Sequence, residues 1–320
     1  MKISSSLLGM TILLLFVSLA SAQRFTVSER AGFGPQRNNI LLLEDSTKQK
    51  KIILFRTKLR VNTDGSPLSY HPQDPRGKSI ALNIICNAVV IKHAGDNKNL
   101  CFTNFGEAIG AFEKFRDGNY RTIPETYEIG WSNVLATTME QGISVPCIFG
   151  SGPFKGYFGS LTALKNGLTG DKGECQFNDQ VNPLSIPALV LAGGKNAVRQ
   201  FGAKVGDLLV AYNSKNDTFS SAIIGDTGPG DNLGEGSIFL NMKLKGVTIP
   251  PTNRAETFKL AIENDDVLVA IFPASRSFRE MKPFTVENID QRVVNWQRAL
   301  GFATPEKFIE FMKSFQSSLK

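Results

Sequence analysis

From Pro153 to Leu244 the chain is written in short apolar runs separated by glycines. Examples are Ala188-Leu189-Val190-Leu191-Ala192, Asp207-Leu208-Leu209-Val210-Ala211-Tyr212, Ala222-Ile223-Ile224 and Ser237-Ile238-Phe239-Leu240. Runs this short, spaced this closely and broken by turn residues, argue for a sandwich or barrel and against βαβ units. A further run, Val267 to Phe272, ends at Pro273. Upstream, Asn39-Ile40-Leu41-Leu42-Leu43 and Lys51-Ile52-Ile53-Leu54-Phe55 flank the basic cluster Lys48 to Lys51. The second of these reads as a strand leading into the turn signal Asn62-Thr63-Asp64-Gly65-Ser66-Pro67. The run around Ile84 to Ile91 is rich in β-branched residues and reads as another strand.

Helices are expected at the periphery. Phe105, Ile109 and Phe112 fall on one face of a segment from Asn104 to Arg116, with Asn104 as its cap. Thr285 opens a C-terminal helix bearing Val286, Ile289, Val293, Trp296 and Leu300 on one side. Thr304-Pro305-Glu306 opens a second, bearing Phe308, Phe311, Met312 and Phe315. The expected class is mainly β with peripheral helices (α+β), as a single domain over 23–320 with a helical C-terminal segment at 285–320.

With 42% hydrophobic and 20% charged residues among 320, the composition is that of an ordinary globular chain, neither collagenous nor disordered. The amino terminus reads as a secretory signal over 1–22. Met1-Lys2 opens it, Leu7 to Leu19 is apolar, and Ala20-Ser21-Ala22 supplies the cleavage site. That apolar run is too short to span a bilayer comfortably, and no later run is long enough. The expected product is secreted, extracellular or periplasmic, free of the membrane after cleavage and monomeric. Cleavage removes Lys2 and no acid, so a formal net charge of +7 becomes +6.

Four cysteines, Cys86, Cys101, Cys147 and Cys175, allow three disulfide pairings, and an exported chain favours their formation. The sequence-local pairing, Cys86–Cys101 with Cys147–Cys175, is preferred because each bond closes a compact loop. No C-x-x-C occurs and the two histidines, His71 and His93, are far apart in sequence, so neither a metal site nor a cofactor is expected. There is no G-x-S-x-G elbow, no G-x-G-x-x-G and no phosphate loop ending in GK[ST]. Basic residues are scattered rather than clustered with aromatics, which argues against nucleic-acid binding.

One segment points to chemistry: Ile224-Gly225-Asp226-Thr227-Gly228-Pro229-Gly230-Asp231-Asn232-Leu233-Gly234-Glu235-Gly236-Ser237. Between 226 and 235 it holds three acids and no base. Its glycines permit tight turns and close ligand approach. Two carboxyls at the ends of one loop can face a common cleft, as glycoside hydrolysis requires.

Val210-Ala211-Tyr212, Ser221 to Pro229 and Leu233 to Ile238 together resemble the signature of the glycoside hydrolase family 75 chitosanases, a fungal-type family, here in a form with a bacterial-looking leader. Gly156 to Thr162 resembles that family's segment leading to Ser-x-Thr, Ile186 to Leu191 its Ile-Pro strand, and Ile271 to Ser275 its Phe-Pro-Gly-Ser turn, with Ala274 in place of glycine. The motifs keep their order over roughly residues 55–300. The resemblance implies a double-psi β-barrel and endo-hydrolysis of β-1,4-linked glucosamine polymers with inversion, so the expected partner is a polysaccharide. Asp226 and Glu235 match the two catalytic carboxylates, and Glu235 is the expected general acid because glutamate has the higher reference pKa. Asp64 and Asp74 are candidates to bind substrate amines. Tyr70 and Trp131 are candidates to stack on sugar rings, with a core role the simpler reading for Trp131. Two other readings stay open: an exported protein binding or cleaving cell-wall glycan on the same barrel, and a non-catalytic carbohydrate-binding protein. The sequon Asn216-Asp217-Thr218 is not expected to be used.

Overall fold

The computed structural model describes residues 25–34, 38–167, 175 and 179–319. The expected signal peptide over 1–22 lies outside the described residues. Strands are β1 (Thr26–Phe33), β2 (Asn38–Glu44), β3 (Lys51–Asn62), β4 (Val89–His93), β5 (Tyr127–Trp131), β6 (Thr137–Glu140), β7 (Ile143–Pro146), β8 (Ala188–Ala192), β9 (Leu208–Asn213), β10 (Thr218–Gly228), β11 (Glu235–Ser237) and β12 (Ile262–Phe272). Helices are α1 (Leu100–Thr103), α2 (Phe105–Asp117), α3 (Ala197–Gln200), α4 (Ile238–Lys245), α5 (Arg254–Phe258), α6 (Val286–Ala299) and α7 (Pro305–Ser314).

Six strands close into a barrel in the order β3-β11-β8-β10-β9-β12, with β12 pairing back onto β3. The chain is therefore mainly β, as its short glycine-broken runs imply. Closure depends on the length of β3, which has 12 residues. Its first part pairs with β2 and β12, and its last three residues, Arg60 to Asn62, pair with β11 instead. The pairings β3–β11 and β8–β10 are parallel, while the other barrel pairs are antiparallel. Strands β1 and β2 extend the sheet beyond β3.

Side chains alternate between two faces along each strand, as a closed barrel demands. Ile53, Phe55, Leu209, Ala211, Ile224, Val269 and Ile271 gather in one cluster. Their neighbours Leu54, Leu208, Val210, Ile223 and Ala270 join a second, together with Ile289, Val293, Phe308 and Met312 of the C-terminal helices. Thr285 and Thr304 cap α6 and α7 with their side chains, as their sequence signals imply. A third cluster packs Phe112 and Phe115 of α2 against β4, β5, Tyr70 and Phe158, forming a lobe beside the barrel. Trp131 packs against this lobe, in ring contact with Phe115, Tyr120 and Phe158. Disulfides Cys86–Cys101 and Cys147–Cys175 form in the sequence-local pairing.

Two local expectations are corrected. The run Ser237 to Leu240 is not a strand: β11 stops at Ser237, whose side chain caps α4 by accepting from the Leu240 N–H. A short buried apolar run carries no period that separates strand from helix, so the cap decides. Around Ile84 to Ile91 the chain first makes a 3₁₀ turn, Ile85–Asn87, and only then enters β4.

Candidate functional site

Four neighbouring barrel strands, β3, β11, β8 and β10, build the site. Glu235 opens β11 and lies opposite Arg60 of β3, while Gly236 lies opposite Leu189 of β8. Asp226 lies opposite Val190 of β8, just past an irregularity in register between Ile224 and Asp226. A bulge of this kind re-aims the side chain that follows it. Asp64 sits two residues beyond the end of β3. The three carboxyls line one cleft of about 770 Å³ between the barrel and the lobe.

Backbone requirements explain two of the glycines. Gly234 has φ +79°, and a Cβ there would sit on the Lys58 carbonyl oxygen. The turn that delivers Glu235 to β11 therefore requires glycine at this position. Gly65 has φ +89° and faces the Thr162 methyl just as closely. Its N–H donates to Ser160 Oγ at 2.9 Å, tying the Asp64 turn to the Ser160-Leu161-Thr162 segment. Ser237 is a further tie: its Oγ donates to the Ile186 carbonyl at 2.8 Å and accepts from the Ala188 N–H at 3.0 Å.

The carboxyls differ in their partners. Asp226 Oδ1 accepts from the backbone N–H groups of Ala163 (2.9 Å) and Thr227 (2.8 Å). Burial pushes its pKa up, while those two donors, the Asn62 side chain and the nearby Lys165 charge favour the ionised form. Glu235 Oε2 accepts from Asn232 Nδ2 at 2.9 Å, and Asn232 Oδ1 accepts in turn from Arg60 Nη1 at 2.6 Å. Burial, then the negative charge of Asp226, raise Glu235 to about 7. Asp64 Oδ1 accepts from the Tyr70 hydroxyl at 2.6 Å. Burial first, with Asp226 and Glu235 adding repulsion, raises Asp64 to about 7 as well. Like charges sharing a site cannot all ionise together, so the cluster retains protons near neutrality.

The sequence expectations meet this geometry unevenly. Asp226, Glu235 and Asp64 come together. Tyr70 is fully buried and cannot stack on a sugar, because its ring belongs to the lobe core and its hydroxyl is committed to Asp64. Asp74 is not among the residues that line the cleft. Its carboxylate accepts from the N–H groups of Lys78, Ser79, Ile80 and Ala81 at 2.8–3.0 Å. Burial opposes ionisation there, but the four donors outweigh it and hold the carboxyl below its usual range. Asp74 shapes a loop, its carboxylate taken up by four backbone donors. Sequence reading missed Asn62, Asn232 and Lys165. Asn62 and Asn232 lie inside the turn and loop already singled out, whereas Lys165 carries no local signal.

Among the described residues, the cleft is lined by three acids and one base, Lys165. Lys165 Nζ is engaged with Gln180 Oε1 at 2.7 Å and the Thr162 carbonyl at 3.1 Å. The surplus positive charge of the chain thus lies outside the cleft. Among the described residues, no group of three or more His, Cys, Asp or Glu side chains has the arrangement to hold a metal ion, and no helix is long and apolar enough to cross a membrane. No protein-family model matches the chain, and no curated protein matches it either.

Proposed function

We propose that the chain is an exported glycoside hydrolase that cleaves β-1,4-linked glucosamine polymers with inversion, resembling the family 75 chitosanases. The observation that carries the reading is the contrast between Asp226 and Glu235 within one acidic cleft. Asp226 accepts two backbone N–H bonds, which favour the carboxylate, whereas Glu235 is raised to about 7. Burial raises both carboxyls, and the backbone donors on Asp226 against the repulsion on Glu235 divide the work of base and acid.

Glu235 acts as general acid. Its Oε2 is held by Asn232, leaving Oε1 to carry the proton delivered to the leaving glycosidic oxygen. Asp226 acts as general base, taking a proton from the water that attacks the anomeric carbon from the opposite face. One C–O bond breaks and one forms; Glu235 gives its proton to the leaving oxygen, Asp226 takes one from the attacking water, and proton exchange with solvent resets the pair. An acidic cleft on a basic chain suits a substrate whose amines are cationic, because attraction is local while the mean field is not.

The double-psi topology belongs to the same proposal. It is supported by the closed six-strand barrel with parallel β3–β11 and β8–β10 pairs, which need crossing connections rather than hairpins. Export is supported by two disulfides, which persist in oxidising compartments. Release of reducing ends from chitosan, chitin and peptidoglycan tests the reading, with the first-formed anomer followed by NMR. Chitosan is the expected substrate and the α-anomer the expected first product. Cleavage of peptidoglycan alone, or a first-formed β-anomer, would overturn it.

A further inference from the structure

The cleft has two chemically different walls. Among the described residues, every charged side chain that lines it, Asp64, Lys165, Asp226 and Glu235, comes from the barrel side. The lobe side contributes Asn87, Val89, Val90, Ser132, Asn133 and Phe102, with no charge. Phe102 is the outlier. At 83% exposure it is the most exposed large apolar side chain among the described residues. A single exposed phenyl ring is ordinary on a protein surface; what marks Phe102 is its place on the wall of the cleft that holds the three carboxyls.

The backbone that carries the ring is tied down on its N-terminal side. Phe102 follows Cys101, whose disulfide partner Cys86 itself lines the cleft. Asn99 caps α1, its Oδ1 accepting from the N–H groups of Cys101 at 3.1 Å and Ile91 at 3.3 Å. The backbone of Phe102 is therefore bonded on its N-terminal side to β4 through a side chain and to the 3₁₀ turn through a disulfide. A pre-positioned aromatic costs little ordering when ligand binds.

We propose that Phe102 is a stacking platform for a pyranose ring of the bound chain, recognising its apolar C–H face, with the uncharged amides and hydroxyl of Asn87, Asn133 and Ser132 beside it. The inference rests on the glycan reading above and adds a neutral subsite to it. Because no charge lies on this wall, the platform accepts glucosamine and N-acetylglucosamine units alike, and discrimination between them belongs to the carboxyl wall.

The test is calorimetric titration of the full chain with glucosamine hexamer and with N-acetylglucosamine hexamer, in a Glu235→Gln background to prevent turnover. Phe102→Ala should weaken binding of the hexamers about ten-fold and by a similar factor for each, and Phe102→Trp should restore it. Phe102→Ala should melt with the parent, since the ring is exposed. In the active chain the loss should fall on KM rather than kcat. Unchanged affinity in Phe102→Ala, with the parent cleaving chitosan, overturns the platform and leaves the hydrolase reading standing. Weakened binding in Phe102→Ala by a chain that cleaves no glycan overturns the hydrolase reading and supports the platform. Failure of both hexamers to bind the parent, with no cleavage of chitosan, overturns both.

Discussion

The Tyr70 hydroxyl donates a 2.6 Å hydrogen bond to Asp64 Oδ1, so a fully buried phenol of the lobe core fixes a carboxyl on the cleft floor. Asn83 extends the connection, its Nδ2 donating to Thr63 Oγ1 at 2.8 Å and to the Tyr70 oxygen at 3.4 Å. The lobe and the barrel end are thereby coupled through the site itself.

Tyr70→Phe keeps the ring and removes this bond. Stability should fall by about 1–2 kcal/mol. The Tyr70 bond favours the ionised form of Asp64, so its loss should move the Asp64 titration further upward. Urea denaturation and the carbon NMR titration of a labelled Asp64 carboxyl read the two effects. A downward move would mean that Tyr70 does not stabilise the carboxylate.

On the proposed mechanism, activity should be confined on the alkaline side by Glu235, the proton donor, which is raised to about 7. On the acid side it should be confined by Asp226, which must be ionised and is itself raised by burial. The profile of kcat/KM against pH should therefore be a bell falling above about 7. Stability follows the same sign. Asp64 and Glu235 bind protons more tightly folded than unfolded, so their contribution is full below their unfolded pKa values and fades as pH rises through about 7. Asp64→Asn should narrow the difference in melting temperature between pH 5 and pH 8, and an unchanged difference would contradict the raised titration.

Asp74→Ala leaves four loop N–H groups without their acceptor. A cost of about 2–3 kcal/mol is expected. The midpoint of urea unfolding measures it, and a shift worth under about 0.5 kcal/mol would return Asp74 to the surface-charge class.

Ala274 adopts φ +65°, the left-handed region that glycine tolerates and alanine does not. It stands directly before Ser275, whose Oγ accepts from the Leu208 N–H at 2.8 Å. Ala274→Gly should stabilise the fold by up to about 1 kcal/mol, part of the relieved strain being offset by a more flexible unfolded chain. Thermal melts suffice, and a lower melting temperature would show that the turn carries no strain.

The acidic loop was legible because Asp226 and Glu235 belong to one contiguous segment, and glycine-broken apolar runs marked the barrel. Asp64 was visible as a turn residue and as a candidate to bind substrate amines, but not as a neighbour of the other two carboxyls. It joins the other two because β3 pairs with β11, a contact between segments about 170 residues apart that no local periodicity encodes. The opposite fates of Asp74 and Asp64 show the same limit: both are aspartates in polar, proline-rich turns, and the donors around each decide which one meets solvent in the cleft. Helix α4 escaped detection because Ser237 serves both as the end of a strand and as a cap. Phe102 looked like any apolar residue until its exposure was known.

In the proposed mechanism Asp226 and Glu235 perform hydrolysis as base and acid. The most direct measurement of this is the initial rate of reducing-end release from chitosan by Asp226→Asn and Glu235→Gln, with circular dichroism to confirm that each variant is folded. Each should lose at least about a hundred-fold in kcat while melting as a folded chain. Near-parent turnover by either variant would contradict the assignment.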